Sequence, residues 1–282
     1  YDFSIDIKIF KLNRYILHSC STYCSNKINM SFKNKVVIVT GASSGIGAAA
    51  SKMFSKEGAR VVMVGRNETK LAAVASQCNS PLVLRADISN DDDARRIIDQ
   101  TIKKTGQIDV LVNNAGISIP NGGIFASDMM KAYDIIMNTN LRAVVHLSNL
   151  AAPHLVKTKG NIVNISSIAG TEPPIAPGLT HYFVSKAALN HFTVCAATEL
   201  GPHGVRVNAI SPGPVRTDIM DNVKETFGTT GSWDDFIPKT ILNRVSEPEE
   251  IADMILYLAS DKAKSVTGSN YVNDNGMLLK RT

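Results

Sequence analysis

Tyr182 and Lys186 are separated by three residues in the stretch YFVSK, which leads into the helix-forming run AALNHFTVCAATEL. On a helix, positions i and i+4 share a face, so a phenol and an ammonium spaced this way point toward one place. A free tyrosine titrates at about pH 10, too high for ready proton exchange near neutrality, and a nearby positive charge favours the phenolate and lowers that value. Tyr182 could then give or take a proton during a reaction. The spacing alone equally describes a surface tyrosine beside a lysine, so the weight falls on the residues that accompany it.

Two kinds of companion matter. NISSIAG puts Ser166 and Ser167 at the end of an apolar strand-like run shortly before Tyr182. A hydroxyl there can donate a hydrogen bond to a substrate oxygen and hold a carbonyl carbon in position. MNTNLRA puts Asn140 inside a long helical segment, about residues 127–156, where asparagine is unfavourable unless its amide has a use.

The elements that position these groups follow a strict alternation from residue 35 onward. KVVIVTG, RVVMVGR, PLVLRADIS, IDVLVNNAG, GNIVNISSIAG and VRVNAISPG read as strands, apolar enough to be buried on both faces. Amphipathic segments such as GIGAAASKMFSKEGA and DDARRIIDQTIKKTG separate them as helices. The pattern predicts an α/β fold: a doubly wound (Rossmann) parallel sheet of about seven strands with right-handed crossovers. Residues 30–282 form one domain, with no repeat or linker inside it.

The first strand runs into TGASSGIG, with Gly41, Gly45 and Gly47 at the turn. Glycine permits positive φ and close approach of backbone to a pyrophosphate, and the helix N-terminus that follows offers free N–H groups. A dinucleotide phosphate fits this turn; a tight turn with no ligand is the plainer alternative. The second strand ends in VGRN, where Gly65 offers no carboxylate for ribose hydroxyls and Arg66 could pair with a 2′-phosphate. That favours NADP(H) over NAD(H), unless Arg66 is a solvated loop arginine. Asp87 could meet an adenine amino group or flank the next helix. In NNAG, residues 113 to 116, short amides can bond backbone across neighbouring strands and the glycine lets a cofactor pass closely.

Glycine turn, paired amides, asparagine, serine, tyrosine and lysine occur in an order that resembles the short-chain dehydrogenase/reductase family, single-domain Tyr-x-x-x-Lys type, across residues 35 to about 276. The resemblance implies a catalytic tetrad of Asn140, Ser167, Tyr182 and Lys186, with Ser167 preferred to Ser166 because IAG follows it. Tyr182 would donate the proton in carbonyl reduction, Lys186 would lower its pKa and bond the nicotinamide ribose, Ser167 would polarise the carbonyl, and Asn140 would hold a water beside the lysine. The implied cofactor residues are Gly41, Ser43, Ser44, Gly45, Ile46 and Gly47 of the turn, then Arg66, Asp87, Ile88, Asn114, Ala115 and Gly116. Tyr182, Lys186, Pro212, Gly213, Val215 and Thr217 complete the set; for Pro212 and Gly213 a simple turn is the alternative. No metal ligand is assigned.

The loop between Ser167 and Tyr182 is slightly longer than the family's commonest spacing and holds Pro173, Pro174 and Pro177. The segment from 217 to 244 corresponds to the family's substrate-closing region. Its Met220, Val223, Phe227, Trp233, Phe236 and Ile237 could line an apolar lid over a hydrophobic ketone or secondary alcohol, or serve as core or subunit contacts. Arg244 reads as structural, and the DNG near the C-terminus, DGG in the family, as a subunit-packing tip. The implied activity is NADP(H)-dependent interconversion of a small-molecule carbonyl and an alcohol by hydride transfer, working toward reduction, in a homotetramer built through the long helices and the C-terminal strand. A non-catalytic dinucleotide-binding scaffold, and an isomerase or lyase on the same fold, are the competing readings.

Composition fits this picture. The 282 residues are 44% hydrophobic, enough for a substantial core, and the net charge of +5 is scattered rather than clustered, which argues against a nucleic-acid or membrane role. Cys20, Cys24, Cys78 and Cys195 show no paired spacing, so a reduced, cytoplasmic setting is expected. Residues 1–29 lack glycine, proline and alanine and precede Met30, which looks like an ordinary initiator. They read as an extension outside the fold; Lys8, Lys11 and Arg14 permit a mitochondrial presequence, against which Asp2 and Asp6 argue.

Overall fold

VVIVT, residues 36–40, consists entirely of β-branched side chains, which favour extended backbone, and all five are buried. This strand, β1 (Val36–Thr40), is the centre of the sheet. The structure, a computed structural model, describes residues 31–120, 123–174, 178–219 and 232–280. The tail 1–29 and, within the 217–244 segment, Met220, Val223 and Phe227 lie outside them, as does Pro177.

After β1 come α1 (Gly45–Lys56), β2 (Arg60–Gly65), α2 (Glu68–Ala75), β3 (Leu82–Arg85), α3 (Asp91–Thr105) and β4 (Val110–Asn113). The chain continues through α4 (Met129–Met137), a π-helical turn Asn138–Arg142, α5 (Ala143–Thr158), β5 (Asn161–Ile165), α6 (Thr180–Leu200), β6 (Arg206–Pro212), α7 (Pro248–Ala259) and β7 (Asn270–Asn273). The seven strands lie in the order β3-β2-β1-β4-β5-β6-β7 and every pairing is parallel. Strand order reverses between β1 and β4, and a crevice at the carboxyl ends of strands there is where such sheets bind ligands.

Alternation along β1 splits the core. Val37 and Val39 pack in one cluster with Phe54 of α1 and with Ile251 and Ile255 of α7. Val36 and Ile38 pack in the other with Ile97 of α3 and with Leu147 and Leu155 of α5. Fully burying one such side chain contributes about 1.5–3 kcal/mol, so both faces of the sheet are held by apolar burial. On the second of these faces, where α5 and α6 pack, runs a buried polar chain: Asn113 Nδ2 donates to Ser148 Oγ (3.1 Å) and Asn164 Oδ1 (2.9 Å), and Asn164 Nδ2 donates to Thr193 Oγ1 (2.9 Å). It ties β4, α5, β5 and α6 together, so α6 is registered against the sheet by directional bonds as well as by packing.

Three elements differ from the sequence reading. The long helix expected over about residues 127–156 is not uniform, because the π turn inserts an extra residue between α4 and α5. Periodicity cannot reveal such an insertion, since the apolar stripe resumes after it. Strands β3 and β5 end at Arg85 and Ile165, which leaves Asp87, Ser166 and Ser167 just beyond the strands, free to face the carboxyl edge.

Candidate active site

The turn after β1 is shaped by what a side chain would strike. Gly41 and Gly45 have φ of 66° and 51°, the left-handed region glycine tolerates. A Cβ on Gly45 would stand 2.8 Å from the Thr217 methyl, and one on Gly41 2.8 Å from Asn114 Nδ2. Ser44 is the N-cap of α1 but makes no side-chain cap bond, whereas Asn67 and Asn90 close α2 and α3. The first N–H groups of α1 therefore face the cleft without a side-chain acceptor, and no acidic residue occupies its first turn. An uncapped helix end behind a side-chain-free cradle suits a pyrophosphate, so these residues fit a dinucleotide.

The cleft has a volume of about 820 Å³ and runs along the carboxyl edge of the sheet. It is lined by every residue predicted for the cofactor except Gly47, and by Ser167, Tyr182 and Lys186 of the predicted tetrad. Gly47 sits behind the turn, where a Cβ would strike Asn114 Nδ2 at 2.5 Å and the Gly41 carbonyl still more closely. Its place is correct for helix-to-turn packing rather than for contact with a ligand. Asn114 Nδ2 donates to the carbonyls of Thr40 (2.9 Å) and Gly41 (3.3 Å), the cross-strand backbone bonding expected of NNAG. Asn113 instead bonds side chains.

At the far end, Arg66 Nη1 lies 3.7 Å from Asp87 Oδ2, with 68% of the arginine side chain exposed. Asp87 Oδ1 also accepts from the Ser89 backbone N–H (3.0 Å) and hydroxyl (2.7 Å), so Asp87 braces the turn ahead of α3 while Asn90 caps it. Lys70 of α2 pairs with Asp218 at 2.5 Å, and Trp233 Nε1 donates to the Thr217 carbonyl (3.2 Å), fixing the segment that abuts Gly45.

The chemistry-bearing groups converge at the start of α6. Lys186 is only 5% exposed; its Nζ donates to the Ile165 carbonyl (2.9 Å) and stands 5.8 Å from the Tyr182 ring centroid. Burial pushes its pKa down from 10.5 to about 8. Burial also raises the Tyr182 phenol, and a hydrogen bond from the Ser167 side chain offsets part of that. This direction is opposite to the lowering expected from a nearby positive charge; burial is the larger influence on the phenol, although its side chain is half-buried and lines the cleft. Ser166 is buried and its Oγ donates to the Lys186 carbonyl (3.2 Å), whereas Ser167 faces Tyr182.

Asn140 does not line the cleft. It is buried within the π turn, where its Oδ1 accepts from the Ile117 N–H and its Nδ2 donates to the Ile117 carbonyl, both at 2.8 Å, with Ser185 Oγ at 3.3 Å. The amide expected to hold a water is thus engaged with the segment after Gly116. A Cβ on Gly116 would stand 3.4 Å from Asn140 Oδ1 and 3.6 Å from Lys186 Nζ, so one glycine lets both groups reach the same spot.

Trp233 and Phe236 line the cleft and Ile237 does not. Sequence reasoning missed Met277, Leu278 and Lys280, which also line it, and Leu179, Phe183 and Ile219. Helical spacing could have signalled Leu179, three residues before Tyr182, but not Phe183, its immediate neighbour. Among the described residues, no helix is long and apolar enough to cross a membrane.

The family model described as enoyl-(acyl carrier protein) reductase matches residues 41–278. The chain belongs to the short-chain dehydrogenase/reductase family. It is 33% identical over 257 residues to the 3-oxoacyl-[acyl-carrier-protein] reductase FabG of Thermotoga maritima, covering 89% of this chain and 100% of the relative. The meso-2,3-butanediol dehydrogenase of Serratia marcescens is 34% identical, with 88% and 96% covered. A solved short-chain dehydrogenase/reductase of unknown function from Caenorhabditis elegans, with cofactor, superimposes with a TM-score of 0.81 at 33% identity, covering 89% and 97%. This short-chain dehydrogenase/reductase is an oxidoreductase that acts on small molecules with a nicotinamide dinucleotide.

Proposed function

We propose that the protein is an NADP(H)-dependent carbonyl reductase acting on a hydrophobic ketone or aldehyde. The observation that carries this reading is the buried Lys186 ammonium beside a protonated Tyr182 phenol that shares a hydrogen bond with Ser167. At pH 7 an ammonium titrating at about 8 is roughly nine-tenths charged, so the resting pair is a proton donor backed by a positive charge.

The nicotinamide, when bound, supplies the hydride to the carbonyl carbon. Ser167 donates a hydrogen bond to the carbonyl oxygen and orients it. Tyr182 passes its proton to that oxygen as negative charge develops there, and Lys186 stabilises the phenolate left behind. Asn140, by gripping Ile117 at both backbone groups, keeps the Gly116 segment from intruding on the lysine. The reverse sequence oxidises an alcohol; the protonated resting state supports reduction as the working direction.

Support for the phosphorylated cofactor is Arg66 at the cleft rim, where Gly65 leaves no carboxylate at the end of β2. Support for an apolar substrate is the apolar lining that Phe183, Ile219, Trp233 and Phe236 give the cleft that also holds Tyr182, part of a lid in this reading. A homotetramer in the cytoplasm completes it: Val145 of α5, Val184 and Val194 of α6 and Val272 of β7 expose apolar surface on the elements expected to pack, and Cys78 and Cys195 are free thiols. The test is oxidation of NADPH with a panel of apolar ketones by wild type and Tyr182→Phe. Turnover in wild type with a loss of about 10²–10⁴-fold in the variant supports the reading; tight NADPH binding without turnover of any carbonyl overturns it.

A further inference from the structure

The DNG turn at the C-terminus has work within its own chain. Asp274 and Asn275 are each only 8% exposed. The Asp274 carboxylate accepts from the backbone N–H of Gly276 through Oδ1 and of Leu278 through Oδ2, both at 2.8 Å. Asn275 Nδ2 donates to Ser246 Oγ (2.8 Å), and its carbonyl accepts from the Leu242 N–H (3.1 Å). Gly276 has φ of 76° and fits tightly against Ile241, where a Cβ would stand 3.0 Å away. Lys280 Nζ closes the tail by donating to the Thr240 carbonyl (3.2 Å). Together these bonds force the short 3-10 turn Met277–Leu279 back over the sheet edge, and Met277 and Leu278 reach the cleft.

Strand order says which part of the cleft they reach. Arg66 and Asp87 follow β2 and β3 at one end of the sheet, Tyr182 and Ser167 follow β5, and Met277 and Leu278 follow β7 at the opposite edge. The reacting groups therefore lie between the cofactor-selecting end and the C-terminal turn. Asp274 also packs on Gly213, where a Cβ would stand 2.8 Å from its Cα, so the turn is seated against the segment flanking the reaction centre.

We infer that Met277 and Leu278 are specificity-determining residues that set the size of the apolar group admitted beside the ketone carbon, and that Asp274 positions them. This rests on the carbonyl-reductase reading above. A flexible apolar pair at a wall sets a length limit by filling volume, and a carboxylate accepting two backbone N–H groups holds that wall at a fixed depth.

The experiment compares wild type with Leu278→Ala, Leu278→Phe and Asp274→Ala on the straight-chain ketones from butan-2-one to decan-2-one. Two readouts are taken: kcat/KM with NADPH, and ketone binding followed through quenching of Trp233, the chain's single tryptophan and itself a cleft residue. Leu278→Phe should weaken the longest ketones about tenfold relative to the shortest, Leu278→Ala should shift preference the opposite way, and Asp274→Ala should flatten the series through KM with kcat nearly retained. NADPH affinity should stay within about twofold in the Leu278 variants. An unchanged length profile in both Leu278 variants overturns the inference, whether or not Asp274→Ala folds. Failure of wild type to turn over any ketone overturns the reductase reading instead, while the Trp233 titration still reports whether residue 278 limits ligand size.

Discussion

The Lys186 ammonium stands 5.8 Å from the Tyr182 ring centroid and spends its one protein hydrogen bond, among the described residues, on the Ile165 carbonyl. Among the described residues no carboxylate pairs with it. Its charge is therefore available to whatever negative charge appears on the phenol, and its burial makes that charge sensitive to mildly alkaline pH.

Reduction should accordingly fall as pH rises through about 8, where Lys186 loses its proton and can no longer stabilise the tyrosinate. Lys186→Arg, whose guanidinium stays charged, should move this limb upward by more than one pH unit, roughly, while lowering the rate at pH 7 through altered reach. The pH profile of kcat for both proteins is the check, and coincident alkaline limbs would remove Lys186 from the account.

Arg66→Ala should weaken NADPH roughly 10- to 100-fold, the value of charge-assisted hydrogen bonds to a phosphate, and leave NADH almost unchanged. Titration calorimetry with both cofactors reads this directly. Equal losses for the two would mean that the exposed guanidinium only braces Asp87.

Gly47→Ala forces a methyl group against Asn114 Nδ2 and the Gly41 carbonyl, so it should lower stability by about 1–3 kcal/mol and abolish dinucleotide binding. Gly106→Ala is the contrast: φ is 81° there but no atom lies within 4 Å, so it should cost about 1–2 kcal/mol of backbone strain and leave binding intact. Thermal melts with and without NADPH separate the two.

His181 is fully buried beside Tyr182, and burial lowers its pKa below 6.5, opposed first by a hydrogen bond with the Ile119 backbone and then by the charge of Asp128. The unfolded chain therefore takes up the proton first as pH falls below about 6.5, and stability is lost in that direction. Wild type should lose more melting temperature between pH 7.5 and 5.5 than His181→Asn. His154, shifted the same way by burial, is retained in both, so the difference isolates residue 181. Parallel acid losses would count against it.

How far the sequence carried these conclusions depended on whether a residue's job is local. The alternation of β-branched runs with amphipathic helices dictated the seven-stranded parallel sheet, because burial on both faces leaves few alternatives. Tyr182, Lys186 and the turn glycines were visible because their spacing is itself the signal. Gly47 looked like a ligand contact, and only the proximity of Asn114 showed that it is a packing glycine. Ser166 and Ser167 are neighbours in sequence, and their roles separate only through Lys186 and Tyr182 on a different element. Met277 and Leu278 were invisible for the same reason: their position depends on bonds from Asp274, Asn275 and Lys280 that join segments far apart in the chain.

The extra residue in Asn138–Arg142 has an implication for engineering. Removing one residue there would let the backbone from Met129 to Thr158 run as a single regular α-helix, a locally sturdier rod. Because the wide turn absorbs the extra residue without turning the apolar stripe, Leu147 and Leu155 beyond the cut would keep their places in the core. The asparagine would then swing off Ile117, and such a shortened variant would be harder to melt yet poorer as a catalyst.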